Sequence, residues 1–103
     1  SFYNLLKQFE PFGPANMRPI FLTRGLQDYQ GNSALIKDMH LRIVAHQPGN
    51  NGGIIEGIGF NIGDKYEIVR SGPFDMLYHI EENEYNGNTK LQVRVVDVRP
   101  SKP

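Results

Sequence analysis

Glu82-Asn83-Glu84-Tyr85-Asn86-Gly87-Asn88-Thr89-Lys90-Leu91-Gln92-Val93-Arg94-Val95-Val96-Asp97-Val98-Arg99-Pro100 reads as a strand end, an Asn-Gly turn and a long closing strand that stops at a proline. Asn-Gly suits a two-residue hairpin because both central positions of that turn need positive φ. The stretch therefore predicts a hairpin that ends a small all-β barrel.

Upstream, Phe74 to Glu81 sets Phe74, Met76, Tyr78 and Ile80 against Asp75, Leu77, His79 and Glu81, the period of a strand. Asn61 to Val69 changes period: Ile62, Tyr66 and Val69 share a helical face, Asn61 can cap it, and Ser71-Gly72-Pro73 stops it. Gly53 to Phe60 reads as a strand interrupted by Gly57 and Gly59, which mark a bulge or a close backbone approach. Pro48 to Gly53 is loop by composition.

Met39 to His46 alternates, with Met39, Leu41, Ile43 and Ala45 inward and His40, Arg42 and His46 outward. Gly31-Asn32 is a turn, followed by strand character over Ser33 to Lys37. Pro19 to Thr23 opens a strand that bends at Gly25. Phe2, Leu5, Leu6 and Phe9 have the spacing of one helix face, ended by Pro11, Gly13 and Pro14. The expected organisation is an upstream linker and short N-terminal helix over 1–18, a barrel domain over 19–100 and a tail over 101–103. Three strands, a short helix and two strands make a five-stranded Greek-key barrel of the oligonucleotide/oligosaccharide-binding (OB) type, with its helix between strands three and four.

At 103 residues, 39% hydrophobic and 21% charged, the chain is sized for one domain with a modest core. No apolar run approaches the ~20 residues of a membrane helix. No membrane partner is expected. The chain contains no cysteine, which excludes disulfides and thiolate metal sites and is compatible with a cytoplasmic location. It begins Ser1-Phe2-Tyr3, which suggests a piece of a longer protein. Eleven basic and eleven acidic residues cancel, against tight nucleic-acid binding through bulk charge alone. The distribution is uneven: Arg18, Arg24, Lys37 and Arg42 lie in a first half with few acids, and Glu81, Glu82 and Glu84 crowd one turn.

Four stretches together resemble the C-terminal part of the RecJ family, single-strand-specific exonucleases of the DHH phosphoesterase superfamily. They are Glu10-Pro11-Phe12-Gly13-Pro14-Ala15-Asn16 with Pro19-Ile20-Phe21, His40-Leu41-Arg42, Gly59-Phe60-Asn61, and the hairpin from Asn83 to Pro100. The similarity spans roughly residues 5–100. The chain departs from the family pattern at Ala15 and Met17, turn positions where glycine and proline are usual. The resemblance implies the OB portion of a 5′–3′ single-strand exonuclease of DNA repair and recombination. Its catalytic core would hold divalent Mg or Mn elsewhere in the polypeptide, leaving this chain without a cofactor. The implied partners are single-stranded DNA, that catalytic core and single-strand-binding protein.

Nothing in the residues contradicts a non-enzymatic module. His40, His46 and His79 lack aspartates at metal-ligand spacing, and no Asp-His-His motif is present. Gly57-Ile58-Gly59-Phe60-Asn61-Ile62-Gly63 misses the dinucleotide fingerprint, because its third glycine is one place late and no parallel βαβ unit surrounds it. Ser1, Ser33, Ser71 and Ser101 carry no nucleophile motif.

Single-strand binding on such a barrel needs aromatic platforms and cations on outward strand positions. The candidates are His40 and Arg42, Gln92 and Arg94, Lys37 just before the second strand, Lys90 just after the turn, and Tyr85 at the turn. Phe21, Phe60, Phe74 and Tyr78 are expected in the core, with Asn83 and Asp97 bonding turn and strand-end backbone. The competing reading is a scaffold that packs on the catalytic core or docks a replication or repair partner, which the neutral charge and the glutamate cluster favour.

Overall fold

A computed structural model of the chain describes residues 19–49 and 53–102. The strands are β1 (Phe21–Asp28), β2 (Ala34–Ile36), β3 (His40–His46), β4 (Ile55–Gly59), β5 (Phe74–Tyr85) and β6 (Asn88–Pro100). Between β4 and β5 a 3-10 turn (Gly63–Lys65) runs into the short helix α1 (Tyr66–Ser71). Among the described residues no helix is long and apolar enough to cross a membrane. The helix expected near the N-terminus lies outside the described residues.

The sheet order is β1-β5-β6-β4-β3-β2, and an additional antiparallel pairing of β1 with β3 closes a ring. All pairings are antiparallel except β4 with β6, which meet in parallel at Gly57↔Val93 and Ile58↔Arg94. The structure has six strands where five were expected, and the additional one, β2, continues the first along β3. β1 pairs β3 through Gln27↔His46 and Asp28↔Ala45, and β2 resumes the same partner at Ala34↔Arg42.

The interruption has a local cause. Gln30 and Gly31 both take positive φ, at 55° and 75°. The Asp28 carboxylate accepts the N–H groups of Gly31 (2.6 Å) and Ser33 (2.8 Å), folding the chain into a side-chain-bonded turn. The Ser33 hydroxyl then accepts the Val44 N–H (2.9 Å) and donates to the Val44 carbonyl (3.2 Å), bonding where a ladder rung would lie.

Leu26, Leu41, Ile43, Ala45, Val69, Phe74, Met76, Val95 and Val98 form one buried cluster. α1 contributes Val69, with Ile62, Tyr66 and Ile68 packed against it. Gly25, at φ 68°, bends β1, and the β1–β5 register shifts between Thr23 and Leu26 as the sequence suggested. A second slip, between Leu77 and Tyr78, leaves Val96 as an extra residue in β6. It resets the alternation, so that Val95 and Val98 both point inward and are 4% and 1% exposed.

Three expected core residues are misplaced by simple alternation. Met39 is 52% exposed, because β3 starts only at His40 and Met39 ends a turn in which Lys37 and Asp38 have positive φ. Phe60 is 47% exposed, because Gly57 and Gly59 take the inward positions of β4. Phe21 is 41% exposed; it stacks on Tyr78 (5.8 Å between centroids) beside Ile80, at the end of β1 remote from the β1–β3 pairing. Phe74 is fully buried and Tyr78 partly so, as expected. Asn61 does not cap the helix: it takes φ 61°, and neither the 3-10 turn nor α1 has a side-chain cap.

Asp75, on the opposite parity from Phe74 and Met76, is 3% exposed. Its Oδ1 accepts the Gly25 N–H (3.1 Å) and the Ser101 hydroxyl (2.5 Å). Its Oδ2 accepts both Nε and Nη2 of Arg99 at 3.1 Å. A buried carboxylate needs such partners, since an unpaired one carries a heavy desolvation cost.

Candidate functional site

Strand register brings three outward side chains into one row. Arg42 on β3 lies opposite Ile58 on β4, and Ile58 lies opposite Arg94 on β6. Side chains on one face of a sheet repeat every second residue. His40, Arg42, Glu56, Ile58, Phe60, Gln92 and Arg94 therefore share the outer face of β3, β4 and β6. Gly57 and Gly59 turn inward, where space is short. A Cβ on Gly57 would stand 3.0 Å from Val93 Cγ1 and 3.1 Å from the Val93 carbonyl oxygen. That constraint fixes which face of β4 carries Phe60.

Phe60 is the centre of the arrangement. The Arg94 guanidinium lies over its ring, 4.6 Å from the centroid. The His40 ring meets it edge-on, at 5.2 Å and 74°. His40 Nδ1 accepts the Asn61 N–H at 3.1 Å, so the hydrogen of the neutral imidazole sits on Nε2. This bond anchors the backbone just after Phe60, where Asn61 is left-handed. Guanidinium over an aromatic face is a favourable electrostatic contact, and it covers part of the ring while leaving Phe60 about half exposed.

Carboxylates flank both arginines. Glu81 Oε2 accepts Arg94 Nη2 at 3.2 Å, with the side chains 16% and 37% exposed. Arg94 Nε is buried with no hydrogen-bond partner among the described residues. Arg42 faces Glu56 at 3.5 Å in a more exposed pair. The face thus carries two cations, each beside an anion, and one of the cations lies over the aromatic ring.

Of the residues expected from sequence, His40, Arg42 and Arg94 converge here, with Gln92 two places along β6 and opposite Glu81. Lys37 is exposed in the turn between β2 and β3, outside the row. Tyr85 and Lys90 occupy rungs Tyr85↔Asn88 and Asn83↔Lys90 of the terminal hairpin, and their side chains, like that of Asn83, lie outside the described residues. The hairpin turn itself has Asn86 and Gly87 at φ 51° and 80°.

Sequence reasoning missed Phe60, Ile58, Glu56 and Glu81 as members of the face. The signal was available for Phe60: two glycines at alternate positions mark the crowded inward side, which sends the intervening residues outward. The other histidines have structural partners. His79 Nδ1 contacts the Pro19 carbonyl at 3.0 Å, and His46 packs edge-on against Tyr29. Among the described residues no three His, Asp or Glu side chains group as metal ligands. Asp97 accepts the Val98 N–H at 2.9 Å and faces Lys65 at 3.8 Å; it bonds backbone beside the bulge within β6 and not at the strand end expected from sequence.

No curated protein matches the chain. The family model of the RecJ OB domain matches residues 1–97.

Proposed function

The chain belongs to the RecJ OB domain family, and from that premise we propose that its outer β3–β4–β6 face seats single-stranded DNA. In the parent polypeptide this module would hold the strand for a separate metal-dependent catalytic core, a 5′–3′ exonuclease of cytoplasmic DNA repair and recombination. The module itself contributes binding and guidance, not bond cleavage.

The observation that carries the reading is Phe60, a half-exposed aromatic ring held in place by Arg94 above and His40 at its edge. Bases stack on such platforms for about 1–3 kcal/mol each, with little regard to sequence. The test is a titration of a fluorescent oligothymidylate with the 103-residue chain, read by anisotropy. Phe60→Ala is expected to weaken binding by about 5- to 150-fold, the equivalent of that stacking energy. Binding that Phe60→Ala leaves unchanged, or no binding by the unsubstituted chain at low salt, rejects the reading.

A second reading has its own support. Net charge is zero and both arginines of the face are matched by glutamates, so the same surface suits a protein partner. A scaffold role, docking on the catalytic core or on single-strand-binding protein, predicts that Phe60→Ala disrupts association with that protein while DNA titrations remain flat.

A further inference from the structure

We propose that this face selects unpaired bases and declines the sugar-phosphate chain, because Glu56 and Glu81 occupy the two arginines that would otherwise take phosphate. The inference rests on the single-strand reading above and deepens it by naming the part of the strand that is held.

Three observations lead to it. First, Arg94 lies over Phe60 and gives its Nη2 to Glu81, so a phosphate reaching for this guanidinium meets a carboxylate already on it. Second, Arg42 stands 3.5 Å from Glu56, and the two pairs leave the row with no net charge. A phosphate approaching either arginine also approaches a carboxylate, and like charges at close range oppose it. Third, the chain as a whole is neutral, so no long-range field draws a polyanion toward the face. The planar surface remains available. An uncharged base can lie against the Phe60–Arg94 pair without displacing either glutamate, and guanidinium planes stack on bases as aromatic rings do.

The consequence is quantitative. Each phosphate neutralised by a protein cation contributes about 0.7 to the slope of log K against log salt for single strands. With both arginines engaged, the face contributes nothing to that slope, and Lys37 in the neighbouring turn adds at most one contact. Freeing both arginines in Glu56→Gln/Glu81→Gln adds about 1.4 to the slope.

The experiment measures oligothymidylate binding by the full chain between roughly 50 and 200 mM salt, for the unsubstituted protein and for the double glutamine variant. Competition follows, with a thymine oligomer on an uncharged peptide backbone and with an abasic deoxyribose-phosphate oligomer of equal length. Circular dichroism confirms that the variant is folded.

The proposal expects a shallow slope that steepens in the variant. It expects the neutral-backbone oligomer to compete within a few-fold of DNA, and the abasic one not at all. A slope near 1.4 or above in the unsubstituted protein overturns it and leaves the single-strand reading intact. So does a slope the variant leaves shallow, or effective competition by the abasic oligomer. Absence of any DNA binding removes the single-strand reading and this inference together.

Discussion

Asp75 joins three parts of the barrel through one carboxylate: β1 at Gly25, β6 at Arg99 and the tail at Ser101. Burial alone would raise its pKa; the bonds from Ser101, Gly25 and Arg99, with the Arg99 charge, outweigh burial and hold the carboxyl below its usual value of 3.8. A lowered pKa in the folded state stabilises the fold above the ordinary aspartate value, and that contribution is lost as pH falls through the lowered one. Asp75→Asn removes the buried charge that Arg99 bonds through Nε and Nη2 and is expected to cost about 3 kcal/mol at neutral pH in urea unfolding. The variant's deficit should shrink as pH falls from the ordinary aspartate value through the lowered one, where the native carboxyl also loses its charge. A deficit independent of pH would assign the loss to packing alone. Alternation sets Asp75 opposite Phe74 and Met76 and does not reveal its burial, since parity takes no account of a tail folding back: the Ser101 N–H bonds the Pro73 carbonyl at 3.0 Å. Phe60 was misread for a related reason, as residue type outweighed the glycine pattern on either side of it.

At the scale of elements, the two informative features are the break in β1 and the junction of β4 with β6. Ser33 is 5% exposed; its hydroxyl accepts the Val44 N–H and shares the Val44 carbonyl with the Tyr29 N–H. Ser33→Ala strands the buried Val44 N–H, while the Val44 carbonyl keeps the Tyr29 N–H at 2.8 Å, and is expected to lower stability by about 1–3 kcal/mol in denaturant unfolding. Gly57 faces inward against Val93 and Val95, with 3.0–3.1 Å available to a Cβ. Gly57→Ala must push β4 from β6 and should cost about 1–3 kcal/mol, with DNA affinity falling alongside stability because Ile58 and Arg94 form the next rung. Strand positions were legible where alternation is clean, as in β3, and where turn chemistry is explicit, as at Asn86-Gly87. The division of the first strand was not, because a turn bonded by Asp28 and Ser33 depends on where Val44 lies in space. Outward placement of Arg42 and Arg94 was legible from parity. Their glutamates were not: Glu81 is thirteen residues from Arg94 and meets it only through the hairpin register.

Across the whole molecule, contacts join distant parts of the chain. β1 pairs with β5 across some fifty residues, as Phe21↔Tyr78 and Leu26↔Phe74 illustrate, and β6 bridges β5 and β4. Such topology carries a large loop-closure cost before its contacts form, so refolding is expected on the millisecond-to-second scale, far slower than a helical bundle of equal length. Stopped-flow fluorescence from the tyrosines measures this; microsecond refolding would contradict the ring of pairings. The neutral charge, read directly from the residues, matters at this scale too, since a charge-balanced barrel meets its partner by contact and not by attraction from afar. The parallel junction of β4 and β6 consists of two registered pairs, Gly57↔Val93 and Ile58↔Arg94. The second of these is also the middle of the row that runs from Arg42 to Arg94. A guest resting across that row clasps the cylinder at a weld only two rungs long. Occupancy should therefore slow amide exchange along β4 and β6 and raise the melting temperature, even at positions the guest never touches.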